Sequence, residues 1–341
     1  MLLSLGLAAC GKDNGPSEFD PQGTTADVAE AQDAFVSAQA SSFAAIGADI
    51  STVLNGAPVV ASSAALARPG PSAASARYAR QLVRLLPGAG PRIQASVSAI
   101  PSGALGATFV WDEETDAYAA SDLSGAPSNG IRFLLYAIDP VTLRPVEPVV
   151  EVGYVDITDE STAATAGFRV KVVDGSVVYL DYGVSATGTE SSGIITVSGF
   201  ASNGNARANF TLKNTISQNS GGLLLSLDYR LSVPSRKTSL DWTATFANIS
   251  DSEVAVTLDF VIAGPNGSVR LVGTYGANGG TFTVKVNGDL FATVSLEGSS
   301  AVITGANGAS LTADEEETLR TILEYYDHSL IAFTELVAPL D

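Results

Sequence analysis

Through the long middle of the chain, apolar and polar residues take turns one by one, which is the period of an extended strand whose neighbouring side chains face opposite ways. Leu223, Leu225, Leu227, Tyr229, Leu231 and Val233 fall on one side of such a strand, with Ser226, Asp228, Arg230 and Ser232 on the other. Leu240, Trp242, Ala244 and Phe246 repeat the pattern, as do Val254, Val256, Leu258, Phe260 and Ile262, then Phe282, Val284 and Val286. One apolar face per strand predicts an antiparallel sheet with its other face in water. Between about Leu105 and Ile303 the alternation marks on the order of a dozen to fifteen strands, spaced as in a meander and not as in βαβ units. Asn287-Gly288 and Asp174-Gly175 suit two-residue primed turns, and Pro265-Asn266-Gly267 marks another reversal. No mononucleotide or dinucleotide fold fits this order.

At both ends the period lengthens to that of a helix. Val28, Ala31, Phe35, Ala38, Ala45 and Ile46 predict an amphipathic helix from Thr24 to about Leu54, with Asp27 and Glu30 in its first turn, where the helix dipole favours acids. Residues 55 to 75 read as an Ala/Ser/Pro loop, and Arg77 to Leu86 as a short helix stopped by Pro87. Near the carboxyl end Thr312 and Glu315 form a capping box. Leu319, Ile322, Leu323, Tyr326, Leu330, Phe333 and Val337 then make an apolar stripe, and Pro339 limits it. A helix with such a stripe must cover something apolar, and the sheet is the nearest candidate. The expected fold is mainly β in an α+β arrangement: a large curved antiparallel meander sheet or incomplete barrel, packed against amino-terminal and carboxyl-terminal amphipathic helices. Residues 24–100 form the helical segment, 101–310 the sheet and 311–341 the final helix, and 24–341 are expected to share one domain.

Composition narrows the function. The 341 residues are 45% hydrophobic and 16% charged, too aliphatic for a disordered chain. Eighteen basic against 36 acidic residues give a net charge of −18, so nucleic acid and anionic lipid would repel the protein as a whole. The only cysteine, Cys10, follows an apolar run, Met1 to Ala9, that ends in two small residues. Leu7-Ala8-Ala9-Cys10 resembles the lipobox of bacterial lipoproteins, position by position. The resemblance implies a signal peptide, residues 1–9, cleaved before Cys10. It also implies acylation of the cysteine sulfur and of the new amino group, where palmitate is the usual acyl chain, and so a lipid-anchored protein of the bacterial cell envelope. Gly11 after the cysteine points, by the same resemblance, to the outer membrane. No Lys or Arg precedes the run, unlike a complete secretory signal, so a start further upstream is expected. Residues 10–23, rich in Gly, Pro, Asn, Ser and Asp, suit a flexible tether.

Chemistry is sparse. With His328 as the only histidine, no multi-histidine metal site can form, and Asp327-His328-Ser329 is no triad, because neighbours on a helix point to different sides. Neither a nucleophile elbow nor a P-loop occurs. The acidic clusters Asp112, Glu113, Glu114, Asp116 and Asp156, Asp159, Glu160 read as hairpin tips in water, or as a loose calcium site, and a hydrolase could draw two carboxylates from anywhere in the fold. Arg68, Arg77, Arg80, Arg84 and Arg92 form the one basic segment; it either faces lipid head groups or an anionic ligand, or pairs with the protein's own acids. No catalytic residue, metal or cofactor is assigned.

The order of elements resembles the LolA- and LppX-like lipid-carrying lipoproteins over residues 105 to 337. That resemblance implies a non-enzymatic protein that holds a lipid-like molecule on the inner face of the sheet, against Leu227, Tyr229, Trp242, Phe246 and Phe260. The alternative is a structural or interaction lipoprotein with a fully packed core that works through a protein partner. Small residues such as Gly199, Gly273 and Ala244 suit either, as room for a ligand or as close packing. An outer-membrane barrel shares the alternation, but it would not end in an amphipathic helix.

Overall fold

The computed structural model describes residues 19–54, 78–79 and 100–337, apart from 190–191, 220–221, 248, 250–253, 277 and 298–299. Cys10, the loop at 55–75 and the five arginines fall outside these residues, and of the short helix expected from Arg77 only Tyr78 and Ala79 lie inside.

Fifteen strands form one sheet. They are β1 (Thr108–Asp112), β2 (Ala117–Ser121), β3 (Gly130–Tyr136), β4 (Glu151–Asp159), β5 (Ala166–Asp174), β6 (Val177–Thr189), β7 (Ser192–Ser202), β8 (Arg207–Asn219), β9 (Gly222–Val233), β10 (Thr238–Ala247), β11 (Ala255–Gly264), β12 (Gly267–Gly276), β13 (Gly279–Val286), β14 (Asp289–Glu297) and β15 (Ser300–Gly305). From β3 to β15 each strand pairs antiparallel with the next in sequence, the expected meander. The first hairpin departs from it, because β1 lies parallel to β3 through Thr108↔Arg132 and Phe109↔Phe133, which leaves β2 at the edge. The sheet therefore ends at β2 and β15 and does not close.

Burial follows the sequence alternation. Every second residue of β9 from Leu225 to Val233 is buried, and the four predicted residues of β10 sit at 0–2% exposure. A flat sheet of this size would be roughly 65 Å across at 4.7–4.9 Å per strand, far wider than any one helix. Yet inward residues from Phe109 on β1 to Val294 on β14 belong to one continuous apolar cluster that includes the helices. The sheet curls around its cover. On its outer face cross-strand ion pairs replace the apolar row: Arg132 with Asp156, Arg169 with Asp181 and Arg270 with Asp259.

Asn287 and Gly288 both take positive φ, as a primed turn requires, whereas the β5–β6 turn is built by Gly175 and Ser176, one residue beyond the expected pair. The single helix expected from Thr24 to Leu54 is three: α1 (Pro21–Asp33), α2 (Ala38–Ala45) and α3 (Gly47–Leu54). Ser37 breaks it, because its extended backbone and its hydroxyl, which accepts from the Ala40 N–H at 2.9 Å, start a new helix. Helix α1 also begins earlier than expected, with Asp20 as N-cap accepting from Gly23 N–H at 2.9 Å and Pro21 in the first turn. Asp27 and Glu30 therefore lie beyond the first turn, where they meet Arg236 and Ser235.

The final helix, α4 (Ala313–Val337), opens as expected: Thr312 N–H donates to Glu315 Oε2 at 2.7 Å and Glu315 N–H to Thr312 Oγ1 at 3.3 Å. Leu319, Ile322, Tyr326 and Leu330 are buried, joined by Tyr325. Helix α1 packs beside it, with the Thr25 and Thr318 hydroxyls 2.9 Å apart.

Candidate functional site

The inner face of the central strands is built by parity. Inward positions of β8 to β12 are mainly apolar and aromatic, and α4 lies over those of β9 to β12, whereas Phe35 and Tyr78 meet those of β8. Leu227, Tyr229, Trp242, Phe246 and Phe260 are all on this face and all buried at 0–2% exposure. The structure brings them together: Tyr229 faces Trp242 across the β9–β10 ladder, with rings 5.8 Å apart, and Trp242 pairs with Phe260 across β10–β11. Their cover is aromatic as well. The Tyr326 ring meets Trp242 edge-on at 4.9 Å, Tyr325 stacks on Phe260 at 6.1 Å, and Tyr78 approaches Phe246 at 6.0 Å.

Polar atoms thread this apolar seat. The Tyr275 and Tyr326 hydroxyls lie 2.7 Å apart, Tyr229 and Tyr325 share a hydrogen bond, and Ser329 Oγ donates to the Tyr325 carbonyl at 2.8 Å. Burial pushes the Tyr78, Tyr229 and Tyr325 hydroxyls above the ordinary tyrosine range, so they stay protonated and able to donate. At the middle of the fifteen strands, Asn214 points inward between Leu212 and Ile216 with no exposed surface. Its carbonyl accepts the Tyr78 hydroxyl at 2.7 Å, while its amide nitrogen meets no acceptor among the described residues. An orphaned amide in such a place costs roughly 1–3 kcal/mol.

Among the described residues, the fully buried polar side chains are all uncharged, so this face offers neutral donors and apolar surface and no acid–base pair. Sequence reasoning missed Asn214, Tyr78 and Tyr325. Asn214 was readable as a polar residue in the inward register of β8, and Tyr325 as the twin of Tyr326. Nothing local marked Tyr78.

The other candidates are used structurally. Asp112 accepts from Glu114 N–H and from the Thr115 hydroxyl, each at 2.9 Å, and these bonds hold its pKa below the usual carboxylate value. Asp116 pairs with Arg144, and Asp156 takes a two-pronged hydrogen bond from Arg132 at 2.7 and 2.8 Å. Asp159 accepts from Ser161 N–H at 2.9 Å. Among the described residues no three His, Cys, Asp or Glu side chains converge as a metal would need. His328 is exposed while Ser329 is buried, which parts the D-H-S run. The glycines do not open room: a Cβ on Gly199 would fall 2.6 Å from Tyr182 Cβ, and one on Gly273 2.7 Å from a ring carbon of Phe282. Both spaces are taken by the backbone of the neighbouring strand and the aromatic residue it carries opposite the glycine.

Compared with protein families, curated proteins and solved structures, the chain matches none of them. No described helix is long and apolar enough to cross a membrane.

Proposed function

We propose that this protein is a non-enzymatic cell-envelope lipoprotein, anchored through acylated Cys10, that holds a lipid-like molecule between the inner face of its sheet and α4. The observation that supports this reading best is Asn214. A lone donor amide at the centre of an apolar, aromatic wall is suited to the ester or carboxyl oxygen of an acyl lipid, with the Tyr78 hydroxyl beside it. The uncharged character of the buried polar groups supports binding over catalysis. The ion-paired outer face speaks against a lipid-embedded barrel, whose outward residues would be apolar.

The test is native mass spectrometry, with organic extraction, of the chain beginning at Gly11 and purified without detergent. A stoichiometric apolar molecule is expected, and its occupancy should fall several-fold in Asn214→Leu, which keeps the volume and removes the donor. An apo mass that persists after incubation with envelope lipid extract overturns the reading. A second reading has its own support: the close aromatic contacts of Trp242, Phe260 and Phe246 suit a packed scaffold acting through a protein partner, and the apo outcome would favour it.

A further inference from the structure

Turns that follow odd-numbered strands of the meander leave the sheet at one end, and those that follow even-numbered strands leave at the other. From β3 onward the odd end carries the 137–150 loop and the β5–β6, β7–β8, β9–β10, β11–β12 and β13–β14 turns. Helices α1 and α2 cross this same rim in strand order. Asp20 accepts from Asn266 Nδ2 at 3.0 Å, Asp27 pairs with Arg236, Gln39 Nε2 donates to Asp174 at 3.2 Å, and Tyr136 N–H donates to Ser42 Oγ at 3.2 Å. The described chain starts at the rim too, where the Phe19 ring meets Phe291, just past the β13–β14 turn, at 5.0 Å.

Among the described residues, most of the exposed large apolar side chains on the sheet and its loops are gathered here. Val141, Leu143, Val149, Val150, Val177 and Leu290 stand at this end, against Leu105, Leu123, Ile194 and Val302 towards the other. The 137–150 loop is tightly held. Asp139 Oδ1 accepts from Val141 and Thr142 N–H at 2.8 Å each, Leu143 N–H donates to the Asp139 carbonyl at 2.9 Å, and Arg144 pairs with Asp116. This frame keeps Val141 83% exposed and holds Leu143 at φ +56°, a conformation that costs a side-chain-bearing residue roughly 1–2 kcal/mol. Two aliphatic side chains are thus displayed to solvent on a braced tip.

Eight residues lie between Cys10 and Phe19, and the nine steps from one to the other reach at most about 32 Å even fully extended. An acyl group on Cys10 therefore holds this rim near a bilayer, while the opposite rim stands one strand length further away. We propose that the rim rests on the membrane, with Val141 and Leu143 entering the interfacial layer. The net charge of −18 directs it to a surface of zwitterionic head groups. This rests on the reading of Cys10 as acylated.

The test places tryptophan at Val141 (Val141→Trp) and, on the far rim, at Ile194 (Ile194→Trp). Each variant is reconstituted with its lipid anchor into vesicles of phosphatidylcholine and phosphatidylethanolamine with brominated acyl chains. Expected are a blue shift and quenching for Val141→Trp beyond the parent protein, and neither for Ile194→Trp. Equal quenching at both rims, none at either in vesicle-bound protein, or a shift without vesicles accompanied by a dimer mass would overturn the proposal, the last in favour of a second copy. The mass of the peptide holding Cys10 tests the anchor separately. If it carries no acyl group, the same variants are tethered through the Cys10 thiol to a maleimide phospholipid in the same vesicles, and the quenching is read again.

Discussion

Asp49, near the start of α3, shows how one side chain sets a pH dependence. Burial raises its pKa from 3.8 to about 6, so the folded protein binds this proton more tightly than the unfolded chain does. Its contribution to stability is fully present below about pH 4 and is lost as the pH rises through about 6. Asp49→Asn should therefore be more stable than the parent near neutrality, with the gap narrowing towards pH 4. Urea midpoints across that range, compared between the two proteins, check this; parallel curves would show that Asp49 is not the cause. Other residues show where sequence stops being legible. The inward rows of β9 and β10 could be read directly, because parity alone decides which side chains meet the core. Gly273 could not: its role comes from Phe282 lying across the ladder, and register between strands is not written in either strand alone. The seat was legible as five apolar residues, but the Tyr78–Asn214 contact joins positions 136 residues apart.

At the scale of elements, the strongest local signals gave the most faithful result. The Thr312–Glu315 box stops α4 from fraying at its first turn, and removing it should act on the helix start without disturbing the aromatic contacts further along. Thr312→Ala is expected to lower the unfolding free energy by about 1 kcal/mol with an unchanged denaturant slope. A larger loss, or a changed slope, would mean that the cap supports more than the first turn. The amino-terminal helices were harder to read because their apolar spacing continues past residue 34. Ser37, a polar residue able to cap, was the sign that the helix restarts there. The parallel β1–β3 pair was illegible for a different reason: alternation predicts which face a strand buries but not which strand it lies beside.

For the molecule as a whole, the apolar cluster runs without a break from β1 to β14 and through the four described helices α1 to α4, so the described part should unfold as one unit. A single transition is expected by both far-ultraviolet circular dichroism and tyrosine fluorescence. Amide exchange should be fastest in β2 and β15, which have a partner on one side only, and slowest in β8 to β11. Two transitions, or protection that does not fall towards the edges, would argue for separate bodies. The unpaired edges carry a mechanical consequence too. In a closed barrel, strand number and stagger fix the radius, and the interior can widen only by breaking ladder hydrogen bonds. With β2 and β15 left as free edges, this sheet has no such closure to break, and small changes of twist can be shared among its fourteen ladders while every strand keeps its partners.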